Sequence, residues 1–177
     1  AGHLTWPGGK FAVRDAQLAG DCVLHAGVVE EGELHAGATV TCEVDPSRMD
    51  TMRNHTATHL LNWALRLVLG DHIHQAGSVV SPDRLRFDFS HNQALTAEQT
   101  AQVETLVNRR ILADEVVTAV LAPLADAKKI PGVRAVFGEK YPDPVRVIAV
   151  GTSDPLTQTG PDTPVEFCGG THLSRTS

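Results

Sequence analysis

Cysteine is scarce in this chain: three in 177 residues, Cys22, Cys42 and Cys168, with no CxxC spacing. An odd, scattered set does not make a disulfide framework, and a reduced cytosolic setting fits it better. Cys22 and Cys42 fall in strand-like stretches and are expected as small buried apolar residues. No run approaches ~18 apolar residues, so no segment is expected to span a membrane. No secretory signal opens the chain. No glycine-rich loop follows a strand, which argues against a P-loop or Rossmann nucleotide site. Positive charge is also in short supply. Residues 1–45 hold seven acids and two bases and the remainder fourteen acids and thirteen bases, giving −5 and −1 of the total −6. The broad basic footprint of an autonomous nucleic-acid binder is missing. A nucleic acid would have to be gripped locally, or by other parts of a larger protein. The chain ends five residues after His172 and reads as a piece of a longer polypeptide.

Hydrophobic residues make up 42% of the chain, enough for a real core. Its organising stretch is Asp50 to Gly70, where Met52, His59-Leu60, Trp63-Ala64 and Leu67-Val68 follow a helical period. Gly70 has the place of a C′ glycine. At the start, either Asp45 caps with Pro46 as first helical residue, or Ser47 caps with Asp50 three residues on. Before this helix, residues 10–45 read as strands: KFAVRDA and ATVTCEV alternate, and CVLHAGVVEEGEL has a turn near Gly32. After it, Gly77–Ser81 and Leu85–Phe89 flank the Pro82-Asp83 turn and make an antiparallel hairpin. Thr96 and Gln99 form a capping box for a second helix to about Ala113. Val116–Leu121, Val145–Val150 and Val165–Phe167 read as strands, and Leu124–Ile130 as a short helix. Residues 152–164, rich in proline, read as an exposed loop.

Strands paired by hairpins and grouped away from helices predict an α+β fold, an antiparallel sheet packed with helices. Residues 1–46 are expected to be a small β-barrel-like module and 47–177 the main domain.

The chemistry gathers in two pairs. His55 and His59 leave one helix face a turn apart. Cys168 and His172 repeat the spacing in a glycine-flanked turn, with 108 residues between His59 and Cys168. A Cys/His₃ set suits Zn²⁺ in softness and charge. Ligands so far apart tie remote elements together, and a purely structural zinc is the plainer version of the same site. A zincin protease needs Glu after its first histidine, and Thr56 stands there. A zinc deaminase needs CxxC and a nearby Glu, and neither is present. His72 and His74 read as a polar loop, and His25 and His35 as strand or turn residues without a metal role. Thr58 and Gln75 place a hydroxyl and an amide where both can face one cavity near the metal, suited to a small polar group. An ordinary helix role for Thr58 stands beside that reading.

Asn54-His-Thr-Ala-Thr-His-Leu-Leu61, Gln75-Ala-Gly-Ser78, Leu85-Arg-Phe-Asp-Phe89, Phe137-Gly-Glu-Lys-Tyr141 and Cys168-Gly-Gly-Thr-His172 together resemble the editing domain of alanyl-tRNA synthetase. The likeness runs from about Gly8 to His172. It implies a zinc-binding α+β domain preceded by a small β-barrel. Its implied activity is hydrolysis of mischarged Ser-tRNA(Ala) and Gly-tRNA(Ala) in the cytoplasm. His55, His59, Cys168 and His172 fall on the family's zinc positions, and Thr58 and Gln75 on its editing-site positions. The implied partners are the tRNA(Ala) acceptor end and other domains of the same synthetase, with no membrane and no DNA. A free-standing trans-editing protein and a non-catalytic zinc-stapled RNA-binding module are the alternatives. Whether zinc activates water or only organises the pocket stays open at the level of sequence.

Overall fold

The computed structural model describes residues 2–135 and 140–177. Of the motifs singled out in the sequence, Phe137–Tyr141 lies largely outside the described residues. Two compact units divide the chain, Ala1–Arg48 and Met49–Ser177. The architecture is α+β with antiparallel sheets. No helix among the described residues is long and apolar enough to cross a membrane.

The first unit is one antiparallel sheet of β1 (Gly2–Trp6), β2 (Gly9–Ala19), β3 (Cys22–Glu31) and β4 (Thr41–Val44), in the order β3-β2-β1-β4. Irregular register at Lys10/Phe11 and Val13/Asp15 marks bulges in the long β2–β3 pair, which bend and twist a strand locally. A single layer without a second layer of its own cannot bury both faces. Cys22 and Cys42 are therefore exposed rather than buried, against expectation. Leu18, Val23 and Leu24 are likewise exposed.

The second unit is built on α1 (Ser47–Leu69). Asp45 Oδ1 accepts the Ser47 N–H at 2.8 Å and its carbonyl accepts that of Arg48 at 3.0 Å. This is the first of the two caps expected, with Pro46 opening the helix. Gly70 ends the helix at φ +110°, where a side chain would be strained. The buried stripe of α1 includes Leu60, Trp63 and Ala64. Trp63 and Ala64 join β6 (Leu85–Phe89) and α2 (Ala97–Leu112) in one core that includes Ile73, Phe87, Phe89 and Val103, and β5 (Gln75–Val80) pairs with β6. Thr96 and Gln99 form the reciprocal capping box of α2. Asn54 Nδ2 donates to the carbonyls of Ser81 and Pro82, tying the first half of α1 to the hairpin turn.

A second core surrounds β8 (Val145–Val150), flanked by β7 (Val117–Ala122) and β9 (Val165–Phe167), with α3 (Leu124–Ala127) beside it. Val145, Val147, Ile148, Ala149 and Val150 are all buried, the near-continuous apolar run of a strand covered on both faces. Residues 152–164 are less exposed than expected. Pro155 and Pro164 are fully buried, the Trp63 indole donates to the Asp162 carbonyl at 2.8 Å, and Arg110 lies 4.6 Å above the Trp63 ring and also donates to that carbonyl. The loop is held by partners 52 and 99 residues away, which local composition does not reveal.

Candidate metal centre

Helical period places His55 and His59 on one face of α1, and Asn62 and Arg66 continue that face toward the C-terminus. The other half of the site hangs from β9. Val165 and Phe167 point into the β8 core, so alternation turns Glu166 the opposite way. The strand then runs directly into Cys168, whose N–H donates to the Arg146 carbonyl at 3.0 Å. The Arg146 guanidinium returns two hydrogen bonds, to the carbonyls of Cys168 (3.0 Å) and Gly170 (2.6 Å). The CGGTH turn is thus clamped to β8. Gly170 is required for a steric reason: a Cβ there would lie 2.2 Å from His55 Cε1.

One ligating atom each from His55, His59, Cys168 and His172 lies within 4.8 Å of the others. Cys168 Sγ is 3.5 Å from His55 Nε2 and 3.4 Å from His172 Nε2. For a tetrahedral zinc with bonds near 2.3 Å to sulfur and 2.0–2.1 Å to nitrogen, the S···N edge is about 3.6 Å. The two edges from Cys168 to His55 and His172 are therefore spaced to fit such an ion.

The outer contacts point the same way. His55 Nδ1 is 3.0 Å from the Thr171 carbonyl, His59 Nδ1 3.2 Å from Glu166 Oε2, and His172 Nδ1 3.2 Å from Thr56 Oγ1. In the tautomer with the proton on Nδ1, each ring donates outward to an oxygen and leaves an Nε2 lone pair for the cluster. Such outer hydrogen bonds fix ring orientation and raise ligand basicity. Thr56 Oγ1 also accepts the Leu173 N–H at 3.2 Å, and Asn62 Nδ2 donates to Glu166 Oε1 at 2.8 Å. The Cys168 sulfur accepts the Gly170 N–H at 3.4 Å.

Electrostatics keep the rings neutral. Burial is the main cause lowering the proton affinity of all three, helped by the neighbouring rings at His59 and His172 and by Arg146. His59 falls well below the usual imidazole range and His172 to about 3. Burial pushes Glu166 up to about 7, opposed by Arg134 and the Asn62 hydrogen bond. The 3.2 Å contact between His59 and Glu166 is accordingly a hydrogen bond from a neutral ring and not an ion pair, despite its short distance.

These shifts fix a pH dependence. The histidines have folded values below the unfolded value near 6.5, so their contribution is lost as pH falls below 6.5. Glu166 has a folded value above its unfolded one, so its contribution grows as pH falls from about 7 to 4.5. Three rings oppose one carboxyl, and the unfolded chain binds more protons throughout that window. The metal-free chain is therefore expected to lose stability from pH 7 to pH 5, His172 alone costing about 2 kcal/mol at pH 5 and Glu166 offsetting a similar amount. Urea denaturation at the two pH values reads this directly. In the metal-loaded chain, protons compete for the same donors and release of the ion should follow the same direction.

Thr58 and Gln75 are placed differently. Thr58 is buried and its hydroxyl donates to the Asn54 carbonyl at 2.8 Å, one turn back in its own helix. Gln75 opens β5, its amide 3.3 Å from Ser78 Oγ, and lines a small cavity with Asn62, Arg66, Arg134 and Glu166. His72 pairs with His91, Nε2 to Nδ1 at 2.9 Å, away from the four-donor group. Sequence reasoning passed over Asn62, Arg146 and Glu166, and used Thr56 only to set aside a zincin protease. The signal for Glu166 was a charge in an otherwise apolar strand two residues before a candidate ligand; for Thr56 it was a hydroxyl between the two histidines.

No family model matches the chain. It is similar to alanine–tRNA ligases along nearly its whole length. It is 52% identical over 176 residues to that of Thermus thermophilus, covering 99% of this chain and 19% of the relative. Identity is 49% over 180 residues for Bradyrhizobium diazoefficiens, with 99% and 20% covered. For Candida albicans it is 44% over 174 residues, with 94% and 18% covered. The chain thus spans about a fifth of the length of these relatives.

Proposed function

We propose, taking the chain as a homologous segment of the alanine–tRNA ligases, that it hydrolyses the ester of tRNA(Ala) mischarged with serine or glycine. On this reading it is a cytoplasmic editing domain of a synthetase, and the other domains of that synthetase are its partners. The observation that carries the reading is the convergence of His55, His59, Cys168 and His172 from two stretches more than a hundred residues apart, in a chain 52% identical to an alanine–tRNA ligase. The need for such a site is physical. A pocket built for alanine cannot exclude the smaller glycine, and one added hydroxyl costs serine little. A second site that hydrogen-bonds that hydroxyl can remove the error.

We assign the four residues to a Zn²⁺ ion. A bound zinc supplies Lewis acidity and can lower the pKa of a coordinated water to about 7 where it keeps an open position. With four protein donors the set is closed, and the chain's own groups then shape the pocket. Arg146 holds the Cys168–His172 turn, and Glu166, Thr56 and Thr171 orient the rings. Thr58 and Gln75 are proposed to read the substrate. The Thr58 hydroxyl gives its proton to Asn54 and keeps lone pairs with which to accept the hydroxyl of a serine ester. The Gln75 side chain projects from the start of the neighbouring hairpin.

The chain, or the enzyme that contains it, is expected to deacylate Ser-tRNA(Ala) and Gly-tRNA(Ala) and to spare Ala-tRNA(Ala). Equal rates on all three, or none, would remove the assignment. A finer test uses Thr58→Val, nearly isosteric. It should slow Ser-tRNA(Ala) deacylation roughly tenfold more than Gly-tRNA(Ala) deacylation, because only serine offers a hydroxyl to read. Lys140 is proposed to do no more than hold a phosphate, and neutralising it should weaken both alike, since phosphates are the same in every charged tRNA(Ala). Equal loss on both substrates for Thr58→Val would give its hydroxyl a structural or catalytic role instead.

A further inference from the structure

We infer that the small cavity beyond Glu166 is a binding site for a single small anion, held by the guanidinium groups of Arg134 and Arg66. It encloses about 30 Å³ and is walled by Asn62, Arg66, Gln75, Arg134, Glu166 and Phe167. Asn62 and Arg66 continue the α1 face that carries His55 and His59, so the cavity follows the metal cluster along the helix. Glu166 stands between them, touching His59 with one oxygen and Asn62 with the other.

Two observations point to an anion. Arg134 is nine-tenths buried, yet its Nε and Nη1 have no hydrogen-bond partner among the described residues, and neither does Nε of Arg66. A guanidinium cannot shed its charge by losing a proton. Leaving its N–H groups unpaired in the interior is among the costlier arrangements a fold can hold. The charges also fail to balance inside. Among the described residues, the cavity wall carries two guanidinium groups, the His74 imidazole and one carboxyl, and both oxygens of that carboxyl are already engaged. Asp71, the partner of Arg66 Nη2 at 2.8 Å, lies out in solvent with its side chain 96% exposed. The missing group must therefore accept several N–H bonds, carry negative charge and be no larger than one or two waters. A halide or the carboxylate of a formate-sized acid meets those terms. An internal phosphodiester of a polymer is too large for the space. The inference goes beyond the deacylase reading and stands without it.

The test compares the melting temperature of the 177-residue chain in solutions of equal ionic strength and pH containing bromide, formate or gluconate, the last too large to enter. Bromide or formate at about tenfold excess over its Kd should raise Tm by roughly 3–6 °C over gluconate. The difference should collapse in Arg134→Gln, whereas a general salt effect would survive the substitution. A rise with bromide assigns a halide site, and a rise with formate alone assigns a carboxylate site. Where Arg134→Gln fails to fold, Arg66→Gln at the cavity's outer wall should weaken the anion effect about tenfold. Crystals soaked in bromide or grown in formate should show the ion within hydrogen-bond distance of Arg134 Nε or Nη1. The same Tm order in wild type and variant, or a cavity holding only water in those crystals, would overturn the site.

Discussion

Cys168→Ala is expected to abolish tight metal binding and to lower the melting temperature of the metal-loaded chain by roughly 8–16 °C. Sulfur is the only thiolate in the donor set, and its two Nε2 neighbours at 3.4 and 3.5 Å have no other anionic ligand to share an ion with. A ligand that binds only the folded chain stabilises it by about 4 kcal/mol at a thousandfold excess over its Kd, and about 1 kcal/mol moves Tm by roughly 2–4 °C in a domain of this size. Metal analysis after gel filtration and calorimetry read the two effects together. In chelator the variant and wild type should melt within a few degrees of each other, because Cys168 is only half-buried and contributes little packing. A variant that keeps one equivalent of tightly bound zinc would sink the four-ligand assignment.

The second large effect is expected at Glu166. Glu166→Ala removes the acceptor of both His59 Nδ1 and Asn62 Nδ2, and both donors are buried. Losing the outer hydrogen bond of a metal-ligating histidine typically costs 10–100-fold in metal affinity. Leaving buried donors unpaired adds roughly 1–3 kcal/mol each of destabilisation. The variant should therefore be weaker in zinc affinity by about that factor and less stable even without metal. Glu166→Gln can still accept from His59 and should recover most of the affinity. Competition with a chromogenic chelator measures it. An unchanged zinc Kd in Glu166→Ala would show that His59 does not depend on its outer partner.

The contrast between Cys168 and Glu166 shows what the sequence makes legible. Cys168, His172, His55 and His59 stand out because a turn-sized spacing is repeated in residue types with ligand chemistry, and both pairs are local patterns. The helix that carries half of them announces itself by period and by Asp45, Pro46 and Gly70 at its ends. The capping box of Thr96 and Gln99 is equally local, and so is the alternation of Leu85, Phe87 and Phe89. Glu166 becomes meaningful only when β9 is laid beside α1, 104 residues earlier. Arg146 likewise acts on a turn that follows it by more than twenty residues.

Other differences have the same origin. The strand Gly2–Trp6 carries a glycine and a tryptophan and little alternation, and it is made a strand by pairing on both sides with β2 and β4. Cys22 and Cys42 were expected inside because free cysteine is commonly buried, but a sheet with one layer offers them no interior. Residues 152–164 carry the composition of a surface loop, yet Trp63 and Arg110 fasten them down. Thr56 and Thr58 are indistinguishable in sequence as hydroxyls flanking Ala57. Only helix geometry sends Thr56 to His172 and Thr58 back to the Asn54 carbonyl.

The most direct test of the account is a zinc titration of the metal-free protein, following Ser-tRNA(Ala) deacylation and bound zinc in the same samples. The account predicts negligible hydrolysis without metal, a rise in proportion to occupancy, and a plateau at one equivalent. Full deacylation of Ser-tRNA(Ala) by protein shown to be free of metal would contradict it.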